Sequence, residues 1–148
     1  MDYEQLRKVR QATNPFCNSI GLIIEEIGPG TARTRLPIRD SHLNPVGSVH
    51  GGCIFTMADT TAGSAASSHG MKVTTLDSTI HFLRPGLDTD CLYAEATEIK
   101  YGKRVSVYSV DVTDSKGVLI AHATFTYASL GTPLDLTLPE ESSGNIHP

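Results

Sequence analysis

Residues 42–70 read HLNPVGSVHGGCIFTMADTTAGSAASSHG, and this stretch decides the fold. A polar loop leads into about twenty residues without proline, and Gly70 then offers a stop, so the sequence predicts a long helix that begins near His50. The second half of this helix consists almost entirely of Ala, Ser, Thr and Gly, which let a backbone approach its neighbours closely. Because a helix-interior glycine costs about 1 kcal/mol relative to alanine, we expect Gly63 to permit close contact with a sheet or with a partner's helix.

Segments with strand character lie on both sides of this helix. Residues 19–38 contain β-branched residues, a Gly28-Pro29-Gly30 turn and an alternation of small or apolar with charged side chains, which predicts a β-hairpin. Four further runs follow the helix, separated by turn signals: 72–83, 91–100, 104–113 and 118–129. This order predicts one long central helix wrapped by an antiparallel sheet of five to six strands, the hotdog architecture of the α+β class.

The two ends of the chain flank a single predicted domain, residues 1–148. Its 148 residues suit one hydrophobic core, since a chain of this size buries roughly 68–70% of its unfolded surface. We expect residues 1–15 to form a helical arm that stops at Pro15. Residues 132–148 contain three prolines, and we expect them to form a frayed tail.

Composition and charge exclude several classes of protein. The net charge is −4, and no run of Lys or Arg forms the positive stripe that binds nucleic acid. No apolar segment has the length of a membrane span or signal peptide, so we expect neither nucleic acid nor membrane as a partner. Cys17, Cys53 and Cys91 are odd in number and lack metal-ligand spacing. We therefore expect reduced thiols, a cytoplasmic protein and no metal.

A combination of motifs resembles one protein family. The residues that carry the resemblance are Asn44, Gly47, His50, Gly51, Gly52 and Asp59, followed by TTLDSTIHFLRPG at 74–86 and YGKRVSVYSVDVTDSKGVLIAHATFTY at 101–127. In spacing and type they resemble the PaaI-type (phenylacetate-degradation) acyl-CoA thioesterases over about residues 19–130. The resemblance implies hydrolysis of acyl-CoA thioesters. Coenzyme A is then part of the substrate, and no separate cofactor is needed.

The start of the predicted helix has the properties of an oxyanion site. Thioester hydrolysis needs a group that stabilises the developing oxyanion and a base or nucleophile. His50, Gly51 and Gly52 fall where backbone N–H groups are unpaired and the helix dipole is positive. Gly51 also leaves room for a carbonyl to approach its N–H. Two glycines can equally form a simple turn into the helix, an alternative that the nearby Asn44 and Asp59 disfavour.

Asp59 is a carboxylate within an otherwise almost uncharged helix. An aspartate in a helix is usually solvated, but from Cys53 to Ser68 no other ionised residue would share that solvated face. In the family that the chain resembles, an acid here acts as nucleophile or general base, and the sequence leaves both roles open. A partly desolvated carboxylate is a stronger base than a solvated one.

The spacing of Gly51 and Asp59 predicts a shared active site. The two residues are eight positions apart, which corresponds to about 12 Å along one helix. A short aspartate side chain cannot bridge that distance to attack a carbonyl held at Gly51 of its own chain. Two antiparallel helices from two subunits remove the difficulty. We therefore expect a homo-oligomer, at least a dimer and a dimer of dimers, with Asn44, His50 and Gly51 from one subunit facing the partner's Asp59.

Three residues are candidates for supporting roles. The resemblance places at Thr75 a Ser or Thr that hydrogen-bonds the acid or its water. Asn44 would donate its amide to the carbonyl or bind water, or else it is a turn residue before Pro45. His50 would cap the helix or touch the thioester.

The predicted turns carry candidate binding residues for coenzyme A. Arg84, Lys103 and Arg104 fall at such turns, where cations meet phosphates, although solvated turn charge explains each of them equally well. Gly52 completes the predicted substrate-binding set. Aromatic, short-chain and medium-chain acyl groups all remain open.

Two other functions fit parts of the pattern. A non-catalytic acyl-CoA-binding hotdog protein would keep the fold but lack an acid on the central helix, and Asp59 speaks against it. A hotdog dehydratase or hydratase resembles a pattern in which His precedes a Pro-Gly helix entry, whereas this chain has His50-Gly51-Gly52.

Overall fold

A computed structural model describes residues 1–141 of the chain and shows one sheet that curves around one long helix. The helices are α1 (Tyr3–Ala12), α2 (Pro15–Ile20) and α3 (Gly51–Ser67), and the strands are β1 (Ile23–Gly28), β2 (Thr31–Pro37), β3 (Met71–Phe82), β4 (Cys91–Lys100), β5 (Val105–Asp114) and β6 (Leu119–Pro133). All strand pairs are antiparallel, in the order β1-β2-β4-β5-β6-β3. The predicted α+β hotdog architecture is confirmed.

Helix α3 forms the centre of the core, because its small side chains let it lie directly on the sheet. Tyr108 of β5 and Phe125 of β6 are fully buried beneath it. A Cβ atom at Gly63 would stand 3.2 Å from the hydroxyl of Tyr127 and 3.4 Å from Nη2 of Arg10. The close contact expected at Gly63 is therefore made with the sheet and with α1.

The N-terminal region contains a helix that the sequence did not predict. Pro15 begins α2 instead of only stopping α1, and the side chain of Asn14 caps α2 by accepting from the N–H of Cys17 at 3.4 Å. Proline is favourable in a first helical turn, where its missing N–H has no partner in any case. The hairpin consequently begins at Ile23 and not at residue 19.

The C-terminal strand continues past the expected start of the tail. Residues 132 and 133 belong to β6, the N–H of Leu134 donates to the carbonyl of Gly70 at 2.9 Å, and the carbonyl of Leu136 accepts from Gln5 at 2.9 Å. The expected fraying thus does not apply to these residues, and residues 142–148 lie outside the described part of the chain. No helix among residues 1–141 is long and apolar enough to span a membrane.

Candidate active site

Asp59 lies half-buried in the third turn of α3. Only one of its two carboxylate oxygens, Oδ1, accepts hydrogen bonds within residues 1–141. Thr75 donates to Oδ1 at 2.7 Å from the edge strand β3. The hydroxyl of Tyr127 lies 2.6 Å from the same oxygen and 2.5 Å from the backbone carbonyl of Asp59. Within residues 1–141, Oδ2 makes no hydrogen bond and is left for a ligand or water. The structure thus brings Thr75 to the acid, as the resemblance implied.

Tyr127 is a site residue that the sequence did not reveal. It lies in the predicted strand run 118–129, and the position of β6 against α3 brings its hydroxyl to Asp59. Burial and the neighbouring Asp59 carboxylate raise the pKa of Tyr127 well above its ordinary value. The phenol therefore keeps its proton and acts as a hydrogen-bond donor to the acid.

The first turn of α3 has one unpaired backbone donor. His50 is the N-cap residue, and its Nδ1 accepts from the N–H of Gly52 at 2.8 Å. This cap occupies the Gly52 N–H and gives His50 the capping role among its two alternatives. Gly51 is the first helical residue, and its N–H makes no hydrogen bond within the described chain. Gly51 rather than Gly52 is therefore the free donor at the positive end of the helix.

The side chain of Asn44 is hydrogen-bonded within the loop that precedes α3. Its Oδ1 accepts from the N–H groups of Val46 and Ser48, both at 3.1 Å, and its Nδ2 donates to the hydroxyl of Ser48 at 2.7 Å. These bonds are those of a turn residue, and one N–H of the amide remains unused within residues 1–141. Asn44 also lines the same cavity as Gly51.

The predicted cationic residues do not form one group. Arg84 lines the cavity at Gly51, and its Nη1 donates to the carbonyl of Leu119 at 2.9 Å. Lys103 and Arg104 line a different cavity together with His69 and Tyr101. Only Arg84 therefore lies close to the start of α3.

Two separate cavities lie along α3. One, of about 380 Å³, is open at Asp59, Thr75 and Tyr127. The other, of about 310 Å³, is open at Asn44 and Gly51. No residue lines both, so a single subunit keeps the acid and the free N–H apart. In the described part of the chain, no three His, Cys, Asp or Glu side chains are grouped to hold a metal ion.

Comparisons with known proteins identify the family of this chain. The sequence profile of the Thioesterase superfamily matches residues 46–121. A putative esterase of Archaeoglobus fulgidus is 32% identical over 68% of this chain and 65% of its own length, slightly less than two thirds. The acyl-coenzyme A thioesterase PaaI of Escherichia coli is 32% identical over 73% of this chain and 78% of its own.

Solved structures are similar over most of the fold. The structure of the Escherichia coli PaaI protein superposes with a TM-score of 0.83 at 26% identity and covers 90% of this chain and 99% of that one. A hypothetical thioesterase from Streptococcus pneumoniae, solved with coenzyme A, superposes with a TM-score of 0.73 at 31% identity, covering 77% and 89%. The chain therefore belongs to the thioesterase superfamily, as a hotdog-fold thioesterase of the PaaI type.

Proposed function

We propose that this protein hydrolyses acyl-CoA thioesters at sites that two subunits share. The observation that carries the proposal is the state of Asp59. Two hydroxyl groups fix its Oδ1, Oδ2 makes no hydrogen bond within residues 1–141, and Asp59 lines a cavity large enough for a small acyl group. The Escherichia coli relative is an acyl-CoA thioesterase, and the Streptococcus pneumoniae relative was solved with coenzyme A, which supports the substrate class.

The reaction divides between an oxyanion donor and a base or nucleophile. The N–H of Gly51, with the free N–H of Asn44 beside it, would stabilise the oxygen of the thioester carbonyl as negative charge develops. Oδ2 of Asp59 would either take a proton from the attacking water or add to the carbonyl carbon itself. In both cases the C–S bond breaks and coenzyme A leaves as the thiol. An activated water places its own oxygen in the free acid, whereas direct attack joins the acyl group to Asp59 as a mixed anhydride that water then hydrolyses.

Two subunits are needed because the donor and the acid belong to different cavities. Gly51 and Asp59 are separated by about 12 Å along the axis of α3. A two-fold axis that sets two copies of α3 antiparallel would bring Gly51 of each subunit to the partner's acid. A dimer then contains two equivalent sites, each drawn from both chains.

The edge strand β3 supports an assembly of this kind. Within residues 1–141 it pairs only with β6, so its other side is open. Leu76 is 58% exposed and Phe82 is 54% exposed on this strand. An open edge with exposed apolar side chains is a surface that a second copy would cover. We propose a dimer built on β3 and, beyond it, a dimer of dimers.

The three cysteines support a proposal for the location of the protein. Cys17, Cys53 and Cys91 are all free in the structure. Disulfides are rare in the cytoplasm, where thiols stay reduced. We propose a cytoplasmic enzyme whose small-molecule partner is the acyl-CoA.

A thiol-release assay on a panel of aromatic, short-chain and medium-chain acyl-CoA esters tests the activity. Asp59→Asn is nearly isosteric and still accepts hydrogen bonds, so it should fold. We expect it to lower kcat by about 10²–10⁴-fold on the preferred ester, the usual contribution of such a group. If no ester shows release that depends on Asp59, the protein is a non-catalytic binder.

Mixed dimers test the shared site. A subunit with Asp59→Asn keeps the N–H of Gly51, and a subunit with Gly51→Pro keeps the carboxylate of Asp59. If the sites are shared, each mixed dimer keeps one working site, and an equal mixture refolded together should recover roughly a quarter of wild-type activity. A site contained in one chain predicts no recovery at any ratio.

Single-turnover hydrolysis in H₂¹⁸O separates the two roles of Asp59. Direct attack joins the acyl group to Asp59 as a mixed anhydride; when water opens it at the Asp59 carbon, the first product carries an unlabelled Asp59 oxygen and ¹⁸O enters the carboxylate. An activated water places ¹⁸O in the product at once. Mass spectrometry of the product and of the peptide that carries Asp59 distinguishes these outcomes.

A further inference from the structure

The cavity at Asp59 has a cationic end supplied by the N-terminal helix. Arg10 of α1 crosses over α3, where its Nε donates to the hydroxyl of Ser64 at 3.0 Å and its Nη1 to that of Ser67 at 2.8 Å. These two bonds fix the guanidinium and leave Nη2, which has no hydrogen-bond partner within residues 1–141. Nη2 lies beside Gly63, at the wall of the cavity.

The charge of Arg10 is not neutralised by an ion pair. Burial lowers the pKa of this guanidinium, but arginine starts from so high a value that it remains protonated at neutral pH. Arg10 makes no salt bridge within the described chain. Asp59 is the only carboxylate among the residues that line the cavity, and Tyr127 occupies its Oδ1. Arg10 is half-buried, and its charge is compensated only in part by the nearby Asp59 carboxylate. A ligand that shields the guanidinium from water would therefore have to supply an acceptor.

A second donor stands at the same cavity. Asn14 uses its Oδ1 to cap α2, and its Nδ2 is unpaired within residues 1–141. Two other polar side chains of the cavity are already bonded: Thr56 donates to the carbonyl of Gly52 at 2.8 Å, and the hydroxyl of Thr60 lies 3.0 Å from the sulfur of Cys17. Arg10 and Asn14 thus supply unpaired N–H donors to the cavity, one of them charged, in addition to the hydroxyl of Thr74 and Oδ2 of Asp59.

A purely hydrocarbon acyl group would leave these donors without water and without acceptors. Such a mismatch is costly, because a buried donor that loses its partner loses the full hydration of that group. A carboxylate offers two acceptor oxygens and the opposite charge, and guanidinium binds carboxylate well.

We propose that the acyl group bound at Asp59 is short and ends in a carboxylate, which Arg10 and Asn14 bind. The substrates would be mono-thioesters of short dicarboxylic acids with coenzyme A. Arg10 and Asn14 then determine specificity and do not touch the reacting carbon. This inference rests on the proposed thioesterase function and adds its substrate class.

The test compares matched esters of equal chain length, glutaryl-CoA with pentanoyl-CoA and adipyl-CoA with hexanoyl-CoA. Asp59→Asn supplies the blank for the spontaneous cyclisation of the diacid thioesters. For the wild type we expect kcat/KM to be at least about tenfold higher for the diacid member of a pair. Arg10→Met should remove most of that preference, mainly by raising the KM of the diacid esters.

Two further variants separate specificity from stability. Asn14→Asp keeps the cap on α2, because aspartate caps as well as asparagine, but it places a negative charge in the cavity and should reduce diacid turnover in a folded protein. Arg7→Met lies one turn away on α1, where Arg7 pairs with Glu4, and should leave the preference unchanged.

The possible failures are distinguishable. Equal Asp59-dependent rates on both members of each pair, or a diacid preference that survives both Arg10→Met and Asn14→Asp, would overturn the inference and leave the thioesterase proposal intact. Absence of Asp59-dependent release from every ester would remove both.

Discussion

The first and third turns of α3 differ in whether their polar groups are hydrogen-bonded. At the first turn, the N–H of Gly51 has no acceptor within residues 1–141, and the turn opens on a cavity of about 310 Å³. At the third turn, the carboxylate of Asp59 is fixed by Thr75 and by Tyr127 before any ligand arrives. The first turn thus offers an unpaired N–H donor, and the third turn offers a carboxylate whose orientation is already fixed.

This difference supports the proposed division of the reaction between an oxyanion donor, Gly51, and an acid, Asp59. A donor without a partner gains most when charge develops on a ligand, which is when a thioester carbonyl is attacked. An acid that is already oriented loses little freedom in the same step. Each half is incomplete by itself, which supports the proposal of a shared site.

Removal of the unpaired N–H at Gly51 should have the largest effect on activity. Proline is tolerated at the first helical position, and His50 already has the extended ψ of 135° that a residue before proline prefers. We expect Gly51→Pro to fold and to lower kcat by about 10²–10³-fold, the usual effect of losing an oxyanion donor.

Gly51→Ala is the matched control for that variant. Its Cβ would stand 3.4 Å from the ring of Phe82, an ordinary contact, and its N–H is retained. It should keep most of the activity in the thiol-release assay. Equal losses in the alanine and proline variants would show that space at residue 51 matters and its N–H does not.

Removing the tyrosine hydroxyl loosens the other half. Tyr127→Phe keeps the buried ring and deletes a donor to Asp59 Oδ1. A hydrogen bond to a charged group contributes about 1.5–3 kcal/mol, so we expect kcat to fall roughly 10- to 100-fold with a small change in KM. A large rise in KM at unchanged kcat would instead assign Tyr127 to substrate binding.

Thr75 tests the more exposed contact on Asp59. Thr75→Val keeps the shape of the side chain and removes the hydroxyl that donates at 2.7 Å. Water can replace this bond because Thr75 is exposed, and we expect a loss in kcat of only about three- to tenfold. Thr75→Ser should retain activity, and a serine variant as poor as the valine variant would contradict a role for the hydroxyl.

Alkaline stability gives the smallest effect. Burial raises the pKa of Tyr127 and of Tyr108, whereas unfolded tyrosine titrates near pH 10. Above about pH 10 the unfolded chain therefore loses protons that the folded chain keeps, and the free energy of unfolding falls as pH rises. Urea denaturation between about pH 9 and pH 11 should show a shallower fall in Tyr127→Phe than in wild type. Equal slopes in the two proteins would contradict this contribution of Tyr127.

The sequence predicted the parts of the site that lie within one segment. Gly51 and Asp59 belong to the same helix, so the helix start and the rise per residue were enough to place them. Thr75 was implied by family resemblance, and its bond to Asp59 is present. Tyr127 could not be paired with Asp59 in this way, because alternation gives the face of a strand but not which residue of α3 lies opposite.

The N-terminal contributions were missed for a different reason. Pro15 was interpreted only as a helix stop, although Asn14 followed by Pro15 also matches a helix start. With α2 unpredicted, Asn14 had no role. Arg10 could not be assigned to the acid's cavity either, since nothing in the sequence states that α1 crosses Ser64 and Ser67.

The missing side chain at Gly63 has a consequence for how this sequence can vary. The hydroxyl of Tyr127 and the guanidinium of Arg10 both occupy space that any larger residue would need. Three distant parts of the chain are thus tied to one position. Among related sequences, we expect a larger residue at position 63 to coincide with a change at position 127 or position 10. Residues 10, 63 and 127 should therefore covary among related sequences.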